Sequence, residues 1–439
     1  MATYVKAYLG STPLFATDTT WSRQIDWLNL TAVPADGFVG LHAVFSSGTN
    51  YSTIRMTTDT GAAYTINWGD GSAPETAASN TTINHNFSWS GTSSSTLTSR
   101  GYRQALVTVT PAAGSKFTSC SIANKPTTPV FNDNTATSGW LDINFNLPNL
   151  TTGGARLYVG GGTFAHRYLE KVNIVSWGAQ TSCNGMFSNC PSLQSINSAS
   201  WNMASITDVT GMFQNCFNLQ YIDGSTWNTS SITTFLNFAR ECNSLIEAKC
   251  SSWNLISNTS FQFAFYNCTS LQYIDVSSWN TANVVTTDRM FANCKAVQFL
   301  NVRSWNMAKN ANANSMFNGC YALQNIDISL WSIPLLTNAT GMFGSCFALE
   351  KLEACNFGAA TNMTTFCANC YSLKSVTLTG INTSVDFSNC QLSGTALDAI
   401  YTNLASTGTG KTITVTGNFG TTSDTPTIAT AKGWTVTGS

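Results

Sequence analysis

Two residue types with chemical potential keep time along this chain. Nine cysteines, Cys190, Cys216, Cys242, Cys268, Cys294, Cys320, Cys346, Cys370 and Cys390, are separated by six intervals of 26 residues, then 24 and 20. Tryptophan follows the same beat at Trp177, Trp201, Trp227, Trp253, Trp279, Trp305 and Trp331, with Phe357 and Ile381 in the later slots. Thiols in series suggest metal binding, redox exchange or disulfides, and a row of indoles suggests stacking on sugars or bases. Neither chemistry survives inspection. Zinc needs four ligands, and the only histidines, His42, His85 and His166, lie far from the lone Cys367-x-x-Cys370 pair. Cys370 already belongs to the series, so the pair reads as two packed thiols. Cysteines at one position of successive coils point the same way, a poor geometry for disulfides. As small buried hydrophobes they suit a narrow interior. Each tryptophan buries roughly 150–250 Å², worth about 4–6 kcal/mol as an upper bound, which is reason enough to repeat it in a core.

Other motifs fail on local context. Gly408-Thr409-Gly410-Lys411-Thr412 resembles the end of a phosphate loop, but Ala405 stands where glycine is needed and a strand, not a helix, follows. Gly69-Asp70-Gly71 is able to hold a cation through Asp70, yet its composition is that of a turn. No Ser-His-Asp, paired-acid or nucleophile constellation stands out. The expectation is a protein without catalysis, cofactor or metal.

The elements that carry these residues follow from the repeat. The stretch GMFQNCFNLQYIDGSTWN, 211 to 228, recurs as AFYNCTSLQYIDVSSWN and SMFNGCYALQNIDISLW. A period of this length marks a solenoid, in which each unit buries its apolar face against its neighbours. Leu271-x-x-Ile274-x-Val276-x-x-Trp279 fits the leucine-rich template, with tryptophan in the slot ordinarily held by asparagine. Nine such frames begin at Leu169, Leu193, Leu219, Leu245, Leu271, Val297, Leu323, Leu349 and Leu373. Ahead of each strand, Met212, Phe213, Cys216 and Leu219 have the spacing of one buried helical face. Each coil is therefore expected to be a short strand plus a short helix or helical turn, stacking into a parallel sheet about 40 Å long at roughly 4.8 Å per strand.

This frame turns a third set of side chains outward. Tyr221, Asp223, Tyr273, Asp275, Phe299, Asn301, Arg303 and Asp327 alternate with the buried residues of their strands and should line the solvent face. Aromatic rings beside acceptors and hydroxyls make this row the candidate binding face, for glycan or for a protein partner. The structural ladders are Cys216, Cys242, Cys268, Cys294 and Cys320, with Trp201, Trp227, Trp253, Trp279 and Trp305.

Composition narrows the function classes. In 439 residues, charged side chains make up 9% and the formal net charge is -1, with no basic patch for nucleic acid. Apolar residues at 43% are enough for a core, which argues against disorder. Ser, Thr, Asn and Gly favour strands and turns. No run of roughly 18 apolar residues is available to span a membrane. The opening MATYVKAYLGSTPLFATDTTW lacks an apolar segment of signal-peptide length, so no export signal is expected. On that reading the fourteen cysteines are thiols rather than disulfides.

Five segments follow. Residues 1–50 form an N-terminal β segment that packs on the next module or anchors the chain. Residues 51–115 contain Tyr64-Thr65-Ile66-Asn67-Trp68, Ile83-Asn84-His85-Asn86-Phe87 and the alternating Gly101 to Val109 run, all strand-like. Residues 116–165 join this module to the solenoid as its cap, 166–390 are the solenoid, and 391–439 form a C-terminal capping coil. In that last segment a helix from about Thr395 precedes Ile413-x-Val415-x-x-Asn418, which repeats the leucine-rich frame with a true asparagine. An edge strand at 432–436 ends the chain.

The MF-x-x-C-x-x-L-x-x-I-D-x-S-x-W-N-T pattern resembles the BspA-like leucine-rich-repeat surface proteins over about 166 to 390. WGDGS…HNF…GYRQALVTV resembles a polycystic-kidney-disease-type (PKD) immunoglobulin-like β-sandwich, with Phe87 in place of the usual tyrosine. The resemblances imply an N-terminal all-β sandwich (PKD/Ig-like) followed by an α/β leucine-rich-repeat solenoid of 26-residue coils, and an adhesive, non-catalytic role. GYRQALVTVTP and AKGWTVTG are similar to segments of phage structural proteins. The expected function is a phage virion surface protein, a tail fibre or appendage for host adhesion or assembly, made in the host cytoplasm. Its expected partners are other virion proteins, a host glycan or protein, and further copies of itself as a homo-oligomer, with no nucleic acid and no membrane insertion. Capsid decoration and a bacterial cell-surface adhesin are the alternatives.

Overall fold

The computed structural model describes residues 21–48, 50–122, 138–151, 156–160, 166–353, 355–406 and 410–439. The N-terminal strands are β1 (Gly37–Val44), β2 (Tyr51–Thr58), β3 (Tyr64–Asn67), β4 (Glu75–Ala77) and β5 (Ile83–Asn86). They continue with β6 (Arg103–Pro111), β7 (Phe117–Ser121), β8 (Trp140–Leu147) and β9 (Leu157–Tyr158). One sheet runs β4-β3-β6-β1-β8, and a second runs β5-β2-β7-β9. Rings meet between the sheets, Tyr64 against Phe117 at 5.8 Å and Trp68 against Phe87 at 5.8 Å. Every residue of β1 is buried, which a half-exposed strand would not show. The reason is a strap, residues 21–30, whose Trp27 and Leu28 cover Leu41, Ala43 and Leu141 on the outer face. The strap is pinned by Arg23 Nε to Asp142 (3.0 Å) and Trp27 Nε1 to the Tyr102 hydroxyl (2.7 Å). Residues 37–44 of the N-terminal segment are thus the centre of a sheet.

β8 is the junction. It pairs antiparallel with β1 on one side and parallel with β10 (Lys171–Trp177) on the other, so one sheet passes from the N-terminal module into the solenoid. β11 (Ser195–Ile196) follows β10, then β12 (Tyr221–Asp223), β13 (Glu247–Lys249) and β14 (Tyr273–Ile274). β15 (Phe299–Leu300), β16 (Asn325–Ile326), β17 (Lys351–Leu352) and β18 (Ser375–Val376) complete this strand-side ladder, all parallel. A second parallel ladder climbs the turn side as single bridges from Ser182–Asp208 to Asn338–Asn362. The result is a mostly-β solenoid of about eleven turns with coils of about 26 residues.

The helical half of each coil is not helical, and the α/β expectation is corrected to mostly β. Two residues per coil have positive φ, such as Gly211 (57°) and Asn215 (61°), or Arg289 (52°) and Asn293 (61°). An α-helix cannot pass through a left-handed residue. Instead, alternate N–H groups donate to the next coil: Gly211 to Leu236, Phe213 to Phe238 and Asn215 to Arg240. The residues between them close three-residue turns, as Met212 does on Val209 and Cys216 on Phe213. Met212, Phe213, Cys216 and Leu219 share a buried face because the turns stack, and the spacing mimics a helix.

The C-terminal helix α1 (Gly394–Asn403) is present, capped by the Ser393 side chain on the Ala396 N–H. A second short helix, α2 (Thr427–Thr430), precedes the final strand. β19 (Val385–Asp386), β20 (Lys411–Thr414) and β21 (Trp434–Thr437) form the last parallel sheet. The Met363–Val385 bridge shows that this sheet extends the turn-side ladder, so Ile413 and Val415 are not a tenth strand-side frame. No helix among the described residues is long and apolar enough to cross a membrane.

Candidate binding surface

The geometry separates the repeated chemistry into an inert interior and an open exterior. Inside, each cysteine Sγ lies against a carbonyl of the preceding coil: Cys216 on Phe187 (3.1 Å), Cys242 on Phe213 (3.1 Å) and Cys268 on Ala239 (3.1 Å). The same contact recurs to Cys370 on Phe343 (3.0 Å) and Cys390 on Cys367 (3.3 Å). The next rung holds Asn418, whose Nδ2 donates to the Phe387 carbonyl at 2.8 Å. Asparagine and cysteine are therefore alternatives for one slot, a donor that satisfies a buried carbonyl between coils. The small-hydrophobe reading of these thiols was incomplete. All fourteen cysteines are buried and free, including Cys367 and Cys370. Burial pushes the Cys216 and Cys320 thiols up to about 12, and those of Cys242, Cys268 and Cys294 well above their usual range. The thiolate needed for exchange or metal binding is thus suppressed.

Tryptophan does the same on the strand side. Trp227 and Trp253 stack at 5.6 Å and 5°, and Trp279 and Trp305 at 6.0 Å and 3°. Each indole N–H donates one coil back: Trp227 to Ser198 (2.8 Å), Trp253 to Gly224 (3.0 Å), Trp279 to Cys250 (3.0 Å) and Trp305 to Val276 (2.9 Å). Trp201 continues the stack on Trp227 at 5.9 Å. These rings are buried in the stack, with the N–H spent in Trp227, Trp253, Trp279 and Trp305 and that of Trp201 buried without a partner, so they have nothing to offer a sugar or base.

The outward row lies on the strand-side ladder. Tyr221, Glu247 and Tyr273 are in register across β12 to β14, as are Phe299, Asn325 and Lys351 across β15 to β17. Tyr273, Asp275, Asn301 and Arg303 are exposed, and Tyr221, Asp223, Phe299 and Asp327 are half-buried. The aspartates are bound into their own turns: Asp223 Oδ1 accepts from the Ser225 N–H (3.1 Å) and hydroxyl (2.5 Å). Asp275 and Asp327 repeat this with Ser277 and Ser329. The second oxygens of Asp223 and Asp327 face cations on neighbouring coils, Lys249 at 3.3 Å and Arg303 at 3.5 Å. Partial burial pushes the Asp223 and Asp327 carboxyls up, but the serine bonds and these cations outweigh it and hold both below the ordinary carboxylate range. The row is therefore a charged and aromatic strip whose Asp223 and Asp327 carboxylates are held by serines and neighbouring cations.

Two surface features escaped the sequence reading. The residue before each cysteine is left-handed and forms its own side-chain ladder, Asn215 Nδ2 on Asn189 (2.8 Å) and Asn293 Nδ2 on Asn267 (2.7 Å). The recurring Asn-Cys dipeptide was its signal, since asparagine tolerates positive φ. The residue after the cysteine forms an aromatic stripe late in the solenoid. Tyr321 stacks on Phe347 at 4.3 Å, Phe347 lies 5.0 Å from Tyr371, and the Lys295 ammonium sits 5.3 Å from the Tyr321 ring. In the N-terminal module Asp70 is a turn residue, accepting from Ser72 (3.1 Å) and pairing with His85 Nε2 at 2.8 Å. The phosphate-loop resemblance falls partly outside the described residues.

A family model described as Mycoplasma protein of unknown function, DUF285, matches residues 181–299 and 259–379. Those segments are coils of the solenoid. The family match and the stacked 26-residue coils together fit a BspA-like repeat protein. No curated protein matches the chain.

Proposed function

We propose that this chain is a non-enzymatic surface protein of a phage virion, a tail fibre or similar appendage, that binds host or holds neighbouring virion proteins. The observation that carries the reading is the combination of a rigid adhesin-type solenoid with fourteen buried, unbonded thiols. Chains matured in oxidising compartments tend to form disulfides, whereas the series thiols from Cys216 to Cys390 serve as hydrogen-bond donors between coils, which suits assembly in a reducing cytoplasm. On this reading the two facing sheets that precede the solenoid are an immunoglobulin-like sandwich of the PKD type and act as the spacer. The outward row Tyr221, Tyr273 and Phe299 is the contact face, because aromatic anchors carry most interface energy.

The test has two parts. Antibody labelling of intact particles should decorate a tail or appendage, and capsid labelling would move the protein to a decoration role. The purified chain should compete with particles for host adsorption, and the triple variant Tyr221→Ala/Tyr273→Ala/Phe299→Ala should lose that competition. Unchanged competition by the triple variant removes the face from the proposal. The second reading, a bacterial cell-surface adhesin, draws on the match to a Mycoplasma family. It predicts labelling of cells rather than particles.

A further inference from the structure

One place on the turn side breaks the repeat. At the first left-handed position the coils carry small or polar residues such as Gly185, Gly211, Asn237, Ser315 and Gly341. The middle coil instead places Phe263 there, at φ 55°. A bulky residue in that region is strained, and such strain persists where the surroundings hold it. Phe263 is held by two guanidiniums, Arg240 from the coil before and Arg289 from the coil after, each 5.3 Å from its ring. Tyr266 packs edge-on at 5.5 Å and also carries Arg240, at 5.5 Å. Arg289 is positioned from beneath by buried Asp288 (3.2 Å), which also accepts from Gln262 (2.9 Å) and Asn314 (2.9 Å). Arg240 is less well served. Its Nε is buried without a hydrogen bond, and the Glu241 oxygen lies 4.0 Å away, because Glu241 accepts from Asn267 at 2.9 and 3.0 Å.

We infer that Arg240, Phe263, Tyr266 and Arg289 form a binding site for a carboxylate-bearing polysaccharide lying along the turn side of the solenoid. The two guanidiniums come from coils on either side of Phe263 and each lies 5.3 Å from its ring, so they are no more than about twice that distance apart. That arrangement matches a linear polymer presenting successive carboxylates, each taken by a planar fork of donors. The corresponding positions of neighbouring coils carry hydroxyl or amide residues, Gln214, Ser315 and Asn318. A folded protein partner would want a broad apolar centre, whereas Phe263 and Tyr266 are half-buried here beside guanidiniums and the exposed large hydrophobic residues lie elsewhere. The site is separate from the strand-side row and stands or falls independently of it.

The experiment is calorimetric titration of the full chain with de-esterified oligogalacturonate, with neutral dextran oligosaccharide and poly-glutamate as comparisons. The expected result is binding of oligogalacturonate alone, weakened by salt. Arg240→Gln and Arg289→Gln should each weaken it about tenfold. Phe263→Gly relieves the strained backbone, so it should raise the melting temperature while weakening binding several-fold. That variant keeps the test sharp if an arginine variant folds poorly. No binding by the unmodified chain, equal binding of dextran, or variants that bind like the parent would overturn the site. Equal binding of poly-glutamate would overturn its assignment to a saccharide.

Discussion

The N-terminal module and the solenoid solve the same problem by opposite means. In the module the buried polar contacts are individual ones, Arg23 with Asp142, Trp27 with Tyr102, and the Gly139 N–H with His42 Nε2 at 2.9 Å. In the solenoid one bond is made once per coil and copied, Sγ or indole N–H to the carbonyl one rung back. A unique pair fails alone, whereas a copied one fails together with its neighbours above and below. The comparison also separates roles. What is copied inside the coils is structural, and Phe263 is a departure from the copying.

The largest effect should come from cutting a ladder in the middle. Trp253→Ala removes a ring stacked on Trp227 and Trp279 and a donor to Gly224, and should cost about 3–5 kcal/mol in urea unfolding. A cost near that of an exposed substitution would show that the coils do not depend on the indole stack. Next is Gly224→Ala. Its added Cβ would stand 2.7 Å from Trp253 Nε1, so overpacking of about 1–3 kcal/mol is expected. Wild-type stability in this variant would mean that the Trp253 rung shifts freely.

Acid should then divide the two regions. Burial lowers His42 to about 3 and His166 to about 4, so over that window the unfolded chain takes up protons that the folded module refuses. The histidine contribution to stability is complete above about pH 6.5 and is lost as pH falls towards 4 and then 3. Asp223 and Asp327 are held below the carboxylate range, so their contribution to the solenoid is lost only below about pH 3.8. Hydrogen exchange followed by region should show the module opening first as pH is lowered through 5. Simultaneous opening would contradict the independence of its pairs. The smallest effect is a null one: an aromatic disulfide reagent should label none of the fourteen thiols in the native chain and all of them in denaturant. Rapid native labelling of any series cysteine would contradict the buried donor ladder.

Much of the solenoid was legible because its core repeats in the sequence. Leu271, Val276 and Trp279 are buried where the leucine-rich frame puts them. The helix expectation failed because apolar spacing reports which residues share a face and not how the backbone gets there. Gly211 and Asn215 held the missing information, as two residues of positive-φ preference four apart. The tail frame failed similarly: Ile413, Val415 and Asn418 match the template, but β20 pairs with β19 on the other ladder. The change of direction at β8, antiparallel to β1 and parallel to β10, leaves no local signature, since pairing sense depends on distant segments. Alternation alone put Tyr273, Asp275, Asn301 and Arg303 on the exposed side, whereas Tyr221, Asp223, Phe299 and Asp327 are half-buried. The Arg240–Phe263–Arg289 cluster was not, because its members are a coil apart in sequence.

The unbroken sheet through β8 has a mechanical consequence. A pull along the solenoid axis loads the strand pairs side by side, so rungs come away one at a time like the teeth of a zip. Each released coil of 26 residues pays out about 90 Å of chain at roughly 3.3–3.6 Å per residue. β8 itself is shared between both parts, so the load passes directly through its two pairings. A solenoid built this way yields in even steps under tension and absorbs the work of a tug.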